Sequence, residues 1–291
     1  MRFTAFKVGD EKRLGLRTAR GLVDLSAVSG NSPGKALGDV MDILHLDAAA
    51  RANLADLAAA AGDAALVDEA AITVLPPLAR PGKIVCLGLN YYAHAAEGGH
   101  DRPEYPSFFL RTATSLVGHG APIIRPRVSE QLDYEAELVA VVGKTARHVK
   151  RADGLSVIAG YSVFNDASVR NYQRKTSQWT IGKNFDGTGG FGPEFVTADE
   201  LPDGCAGLRI QTRLNGEVLQ DSNTEQMIFN VAETVELLSE CMTLEPGDLL
   251  VMGTPSGVGH ARTPQLWMKP GDVCEIEIDQ VGLLRNPIAD E

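Results

Sequence analysis

Leu132-Asp133-Tyr134-Glu135-Ala136-Glu137-Leu138-Val139-Ala140-Val141-Val142-Gly143 is the stretch on which the fold depends. β-branched and apolar residues recur through it and Gly143 ends it, so it reads as one strand. Side chains alternate across a strand, which puts Asp133, Glu135, Glu137, Val139 and Val141 on one face. That face is acidic at its start and apolar at its end. Two neighbouring carboxylates on a face that enters a core repel each other unless a cation lies between them. A hard divalent ion meets that need. Oxygen-only ligands favour Mg²⁺ or Mn²⁺, with Ca²⁺ also compatible, over Zn²⁺. The pair alone fits a solvated strand face equally well.

Further acidic and basic groups follow at strand ends. Asp166 closes the apolar run 157–164 and is followed by Ser168, Arg170, Gln173 and Arg174, a polar and basic segment suited to a ligand. Upstream, His94 and Glu97 stand three apart, side by side on a helical turn, where the carboxylate can orient the imidazole as a general base. Lys183 sits in the run Gly182-Lys183-Asn184-Phe185. The segment Gly253-Thr254-Pro255-Ser256-Gly257-Val258-Gly259 follows an apolar strand, and its amides and threonine hydroxyl suit a carboxylate or small oxyanion. It matches neither the Walker A nor the GxGxxG pattern.

The 291 residues suffice for one large domain or a small and a larger one. We expect a small N-terminal α/β domain over residues 1–75, with short apolar stretches and an Ala-rich helix from Asp47 to Ala61. From residue 76 to 291 strand signals dominate: 84–87, 138–142, 157–164, 208–214, 249–252 and 273–278. Asn215-Gly216 marks a hairpin turn, and Asn230 caps a helix whose Val231, Val235, Leu238 and Met242 share a core-facing stripe. The fold class is therefore α+β. The net charge of −11 argues against nucleic acid as a partner, and none is expected. No apolar run spans a bilayer and no leader precedes the first strand, so a cytoplasmic protein without membrane contact is expected. Cys86, Cys205, Cys241 and Cys274 are far apart and form neither a disulfide framework nor a zinc site, and Cys86, Cys241 and Cys274 read as core residues.

Taken together, Asn90-Tyr91-x-x-His94-x-x-Glu97, Glu135-x-Glu137, Asn165-Asp166-x-Ser168-x-Arg170-x-x-Gln173, Gly182-Lys183 and Gly253-Thr254-Pro255-x-Gly257-Val258-Gly259 resemble the fumarylacetoacetate hydrolase family in order and spacing. The resemblance implies a mixed β-roll catalytic domain, a homodimer, and Mg²⁺ or Mn²⁺ held by Glu135, Glu137 and Asp166. It also implies a small 2-oxo or 2,4-dioxo carboxylate as substrate. His94, Glu97 and Lys183 would be catalytic, and Arg170, Gln173 and Thr254 would bind substrate. Three departures fall at substrate-facing positions: Arg111 where many relatives carry lysine, Asn171 where an acid is common, and the loop Asp186 to Pro193. The expected activity is hydrolysis of a C–C bond in acylpyruvate-type substrates, releasing pyruvate enolate. Decarboxylation or keto–enol isomerisation of a 2-oxo dicarboxylate shares that enolate and is the alternative. A non-catalytic oxo-acid binding protein would not need His94, Glu97 and Lys183.

Overall fold

The computed structural model describes residues 1–28, 37–99 and 101–291. Its centre is a mixed sheet of eleven strands, whose main path runs 21–24, 11–18, 2–8, 189–197, 158–166, 136–142, 249–251, 84–88 and 107–111. A second sheet of five strands contains Arg209–Leu214, Glu217–Asn223, Val273–Ile278, Gly282–Asp290 and Ile123–Arg125. The architecture is α+β, a mixed β-roll, and each apolar run quoted above forms a strand close to its expected bounds.

Alternation along Ala136–Val142 divides the interior in two. Leu138, Ala140 and Val142 join a core with Ile276, Ile278 and the helix residues Val235 and Leu238. Val139 and Val141 face the other way, into a core with Phe164, Phe191, Phe195, Phe3 and Leu14. Glu135 and Glu137 share that second face, at its end. The N-terminal strand Arg2–Val8 pairs antiparallel with Gly189–Thr197, so the first residues complete the central sheet. Helix Ala48–Ala59, capped by Asp47, covers part of this side.

Two local expectations need correction. The stretch from Leu132 is two strands, Leu132–Asp133 and Ala136–Val142. Side chains replace the ladder at the break: Asp133 Oδ1 accepts from Tyr134 N, Asn165 Oδ1 from Glu135 N and Gln220 Oε1 from Ala136 N. Cys241 is exposed at the C-terminal end of helix Val231–Cys241, while Cys86, Cys205 and Cys274 are buried. Lys183 ends a short helix, Thr180–Lys183. Among the described residues no helix is long and apolar enough to cross a membrane. At Asn215 and Gly216 both residues have positive φ, as the tight hairpin turn requires.

Candidate metal centre and active site

Glu135, Glu137 and Asp166 converge where the paired strands Ala136–Val142 and Ile158–Asp166 meet. One carboxylate oxygen from each lies within 4.8 Å of the others, and all three residues are buried. A six-coordinate hard cation with oxygen ligands keeps them roughly 3–5 Å apart, so the triad fits a divalent ion after small side-chain adjustment.

The surrounding charges are ordered. Lys183 Nζ bridges Glu135 Oε2 and Asp166 Oδ2 at 2.5 Å each. Arg170 pairs with Asp133 Oδ2 at 2.8 Å and with Glu135 Oε1 at 2.6 Å. Arg111 pairs with the other oxygen of Asp166 and also donates to Ala167 O. Four carboxylates (Asp133, Glu135, Glu137, Asp166) thus face three cations (Arg111, Arg170, Lys183), all seven buried. The cluster is short of positive charge, and the deficit falls on Glu137. Its Oε2 accepts the Gly253 amide at 2.5 Å, and among the described residues no cation is within ion-pair distance. Burial, with repulsion from Asp166 and Glu135, pushes the Glu137 carboxyl well above the usual range. Glu135 behaves oppositely: burial raises it, but Arg170 and Lys183 outweigh burial and hold it well below that range. Lys183 is disfavoured as a cation by burial, yet Asp166 and Glu135 more than restore it, so its ammonium is kept.

Two short helices carry the basic wall. Arg170–Gln173 and Thr180–Lys183 pack so closely that a Cβ on Gly182 would lie 2.4 Å from Gln173 N. Only glycine allows that approach, and it aligns Arg170 and Lys183 on the same carboxylate. Arg170 Nη1 donates to Gln173 Oε1 at 2.9 Å.

Above the triad is a cavity of about 260 Å³, with His94, Glu135, Glu137, Arg170, Lys183 and Thr254 on its wall. His94 Nδ1 lies 3.2 Å from Glu97 Oε2 on helix Tyr92–Glu97. Thr254 Oγ1 accepts from Gln220 Nε2 at 2.9 Å, which frees its proton for a ligand. The glycine turn works differently from the sequence expectation. Gly253, Gly257 and Gly259 donate their amides to Glu137, Glu97 and Asp133, so they orient the protein's own acids. Gly253 holds φ at +85°, and its missing Cβ admits the Asn90 side chain. Asn90 is fully buried and clamps Phe229 and Met252 backbone groups at 2.7–3.0 Å.

Gln173 also lines the cavity, whereas Arg111 lies behind Asp166, stacked on Phe164 and bonded to Ser115 and Thr188. Glu97 acts from behind His94 in the same way. Other contributors carried no clear signal. Asp133 is visible only as part of the acidic face, Gln220 sits in an ordinary strand, Arg174 and Trp179 reach the cavity from the connection between helices Arg170–Gln173 and Thr180–Lys183, and His260 from the helical turn Gly259–Ala261. Arg174 alone was hinted at, as one of a basic group after Asp166.

Comparison with known proteins shows the family. The family model described as fumarylacetoacetate (FAA) hydrolase C-terminal matches residues 83–289. The mitochondrial oxaloacetate tautomerase Fahd2a of Rattus norvegicus is 39% identical over 224 residues, 77% of this chain and 71% of the relative. Among solved structures, a fumarylacetoacetate hydrolase of Exiguobacterium antarcticum superposes with a TM-score of 0.84 at 29% identity, covering all of both chains. A maleylpyruvate hydrolase of Sphingobium sp. SYK-6, in complex with manganese (II) ion and pyruvate, does so with a TM-score of 0.82 at 27% identity over 100% of this chain and 99% of that one. Motif order, site geometry and these likenesses agree, and the chain belongs to the fumarylacetoacetate hydrolase family.

Proposed function

We infer that this enzyme interconverts the keto and enol forms of a small 2-oxo dicarboxylate of the oxaloacetate type, using a divalent ion held by Glu135, Glu137 and Asp166. The observation that carries this reading is the size and furnishing of the cavity. At about 260 Å³ it is below the ~300–1,000 Å³ of drug-sized sites, and the imidazole of His94, the ammonium of Lys183 and two of the three acids, Glu135 and Glu137, line it. When bound there, Mg²⁺ or Mn²⁺ supplies Lewis acidity toward the C1 carboxylate and C2 oxygen of a 2-oxo acid.

The chain's own groups do the rest. His94, its Nδ1 directed to Glu97, takes the C3 proton on Nε2 and returns it to carbon or oxygen. Glu97, fixed by the Gly257 amide, stabilises the imidazolium that forms. Lys183 places its ammonium where charge develops on the C2 oxygen. Thr254 donates its hydroxyl proton to the C1 carboxylate, and Arg170 and Gln173 hold the substrate's orientation. Such an exchange asks for no second substrate. The 39% identity to an oxaloacetate tautomerase supports it.

The second reading is C–C hydrolysis of a 2,4-dioxo carboxylate, favoured by the same dyad, which suits activation of water, and by the likeness to a maleylpyruvate hydrolase. One experiment separates them. Ketonisation of enol-oxaloacetate is followed by ultraviolet absorbance with Mn²⁺ or EDTA, beside pyruvate release from acetylpyruvate. We expect Mn²⁺-dependent ketonisation well above the uncatalysed rate. Pyruvate release without ketonisation would replace tautomerisation by hydrolysis.

A further inference from the structure

Two residues of the cavity lining, Arg174 and His260, are left unused by the steps above. Arg174 follows helix Arg170–Gln173 and lines the cavity. Among the described residues its exposed guanidinium has no ion-pair or hydrogen-bond partner, and it feels both the Arg170 cation and the Asp133 carboxylate without pairing with either. Arg170 pairs with Asp133 and Glu135, and Arg111 with Asp166, Ser115 and Thr188, whereas the donors of Arg174 are uncommitted among the described residues.

His260 lines the same wall, stacked on Trp267 with ring centroids 6.0 Å apart. Gln265 Nε2 lies 3.0 Å from the His260 carbonyl oxygen, a pure acceptor, which fixes that atom as the amide nitrogen. The same nitrogen lies 2.9 Å from His260 Nδ1, so Nδ1 accepts and the ring proton is on Nε2. His260 therefore carries one N–H not engaged by Gln265, on the wall it shares with Arg174.

We propose that Arg174 and His260 form the subsite for the distal carboxylate of a dicarboxylate substrate and select it over monocarboxylates. An uncommitted planar guanidinium can donate to both oxygens of a carboxylate at once, and the His260 Nε2–H can add a third hydrogen bond to one of them. With the C1 end held at the triad and Thr254, the small cavity leaves the far carboxylate of a short chain against this wall. The subsite rests on the substrate class inferred above but not on which reaction follows.

Binding of two ligands in the presence of Mn²⁺ tests it. Pyruvate has only the 2-oxo acid head, whereas 3,3-difluorooxaloacetate adds a distal carboxylate and cannot enolise. Arg174→Met should weaken difluorooxaloacetate roughly 10- to 100-fold and leave pyruvate within about twofold. Arg174→Lys should recover part of the loss. His260→Ala should weaken only difluorooxaloacetate, by roughly 3- to 10-fold. Equal losses for both ligands, or no loss for either, would overturn the subsite. Selective loss in a protein that does not ketonise oxaloacetate would uphold the subsite and remove the tautomerase reading alone.

Discussion

Glu137 shows how one residue exposes a metal centre. Its neighbours Glu135 and Asp166 are neutralised by Lys183, Arg170 and Arg111, and only an amide serves Glu137. A buried carboxylate in that position is costly until a cation joins it. In the proposed mechanism His94, on the same cavity wall, is a base and not a ligand. His94→Ala should therefore keep Mn²⁺ affinity while kcat for ketonisation falls about 10²- to 10⁴-fold, measured by titration and steady-state kinetics on the same samples. A parallel loss of Mn²⁺ binding would make His94 a ligand. The sequence shows the carboxylates, the dyad and Lys183 because each belongs to a spaced motif. Arg111 reads as substrate-facing for want of depth information: a strand residue's face is legible, but whether Asp166 stands between it and the cavity is not. Arg174 is legible as part of the basic segment after Asp166, but His260 is not, since a histidine without a visible partner looks like ordinary surface.

Elements set the distances between these residues. The tight seat of helix Thr180–Lys183 on helix Arg170–Gln173 depends on Gly182. Gly182→Ala should push the helices apart, destabilise the protein by about 1–3 kcal/mol and raise KM more than it lowers kcat. Denaturant unfolding and kinetics would show this, and unchanged stability would contradict the packing. Strand positions were legible from apolar alternation, and the Asn215-Gly216 turn from its dipeptide. The break after Asp133 was not, because it depends on Asn165 and Gln220, side chains from elsewhere in the fold that cap Glu135 and Ala136. Local pattern describes a strand's tendency, but not the interruption that distant acceptors make in it.

Over the whole molecule, residues 1–75 remain a proposed unit by composition and a homodimer remains a proposal from the family. What the coordinates add is continuity: Arg2–Val8 extends the sheet that holds Glu135, and Phe3 packs on Phe195 with ring centroids 6.4 Å apart. Phe3→Ala should cost about 3–5 kcal/mol and lower a single cooperative thermal transition. A separate early transition, with Mn²⁺ stabilisation retained above it, would make the N-terminal strands an independent unit. Long-range pairing of this kind escapes sequence reading, since nothing in Phe3 or Phe195 names its partner nearly two hundred positions away.

The most direct measurement is calorimetric titration of Mn²⁺ into the metal-stripped protein and its Glu137→Gln variant, with thermal melts of both. A buried three-carboxylate centre predicts one Mn²⁺ per chain. It also predicts a rise in Tm of several degrees at ~100 times the Kd, where linkage supplies about 2.7 kcal/mol. Both effects should vanish in Glu137→Gln while the variant stays folded. Mn²⁺ binding of equal strength in the variant, or none in the parent protein, would contradict the metal centre.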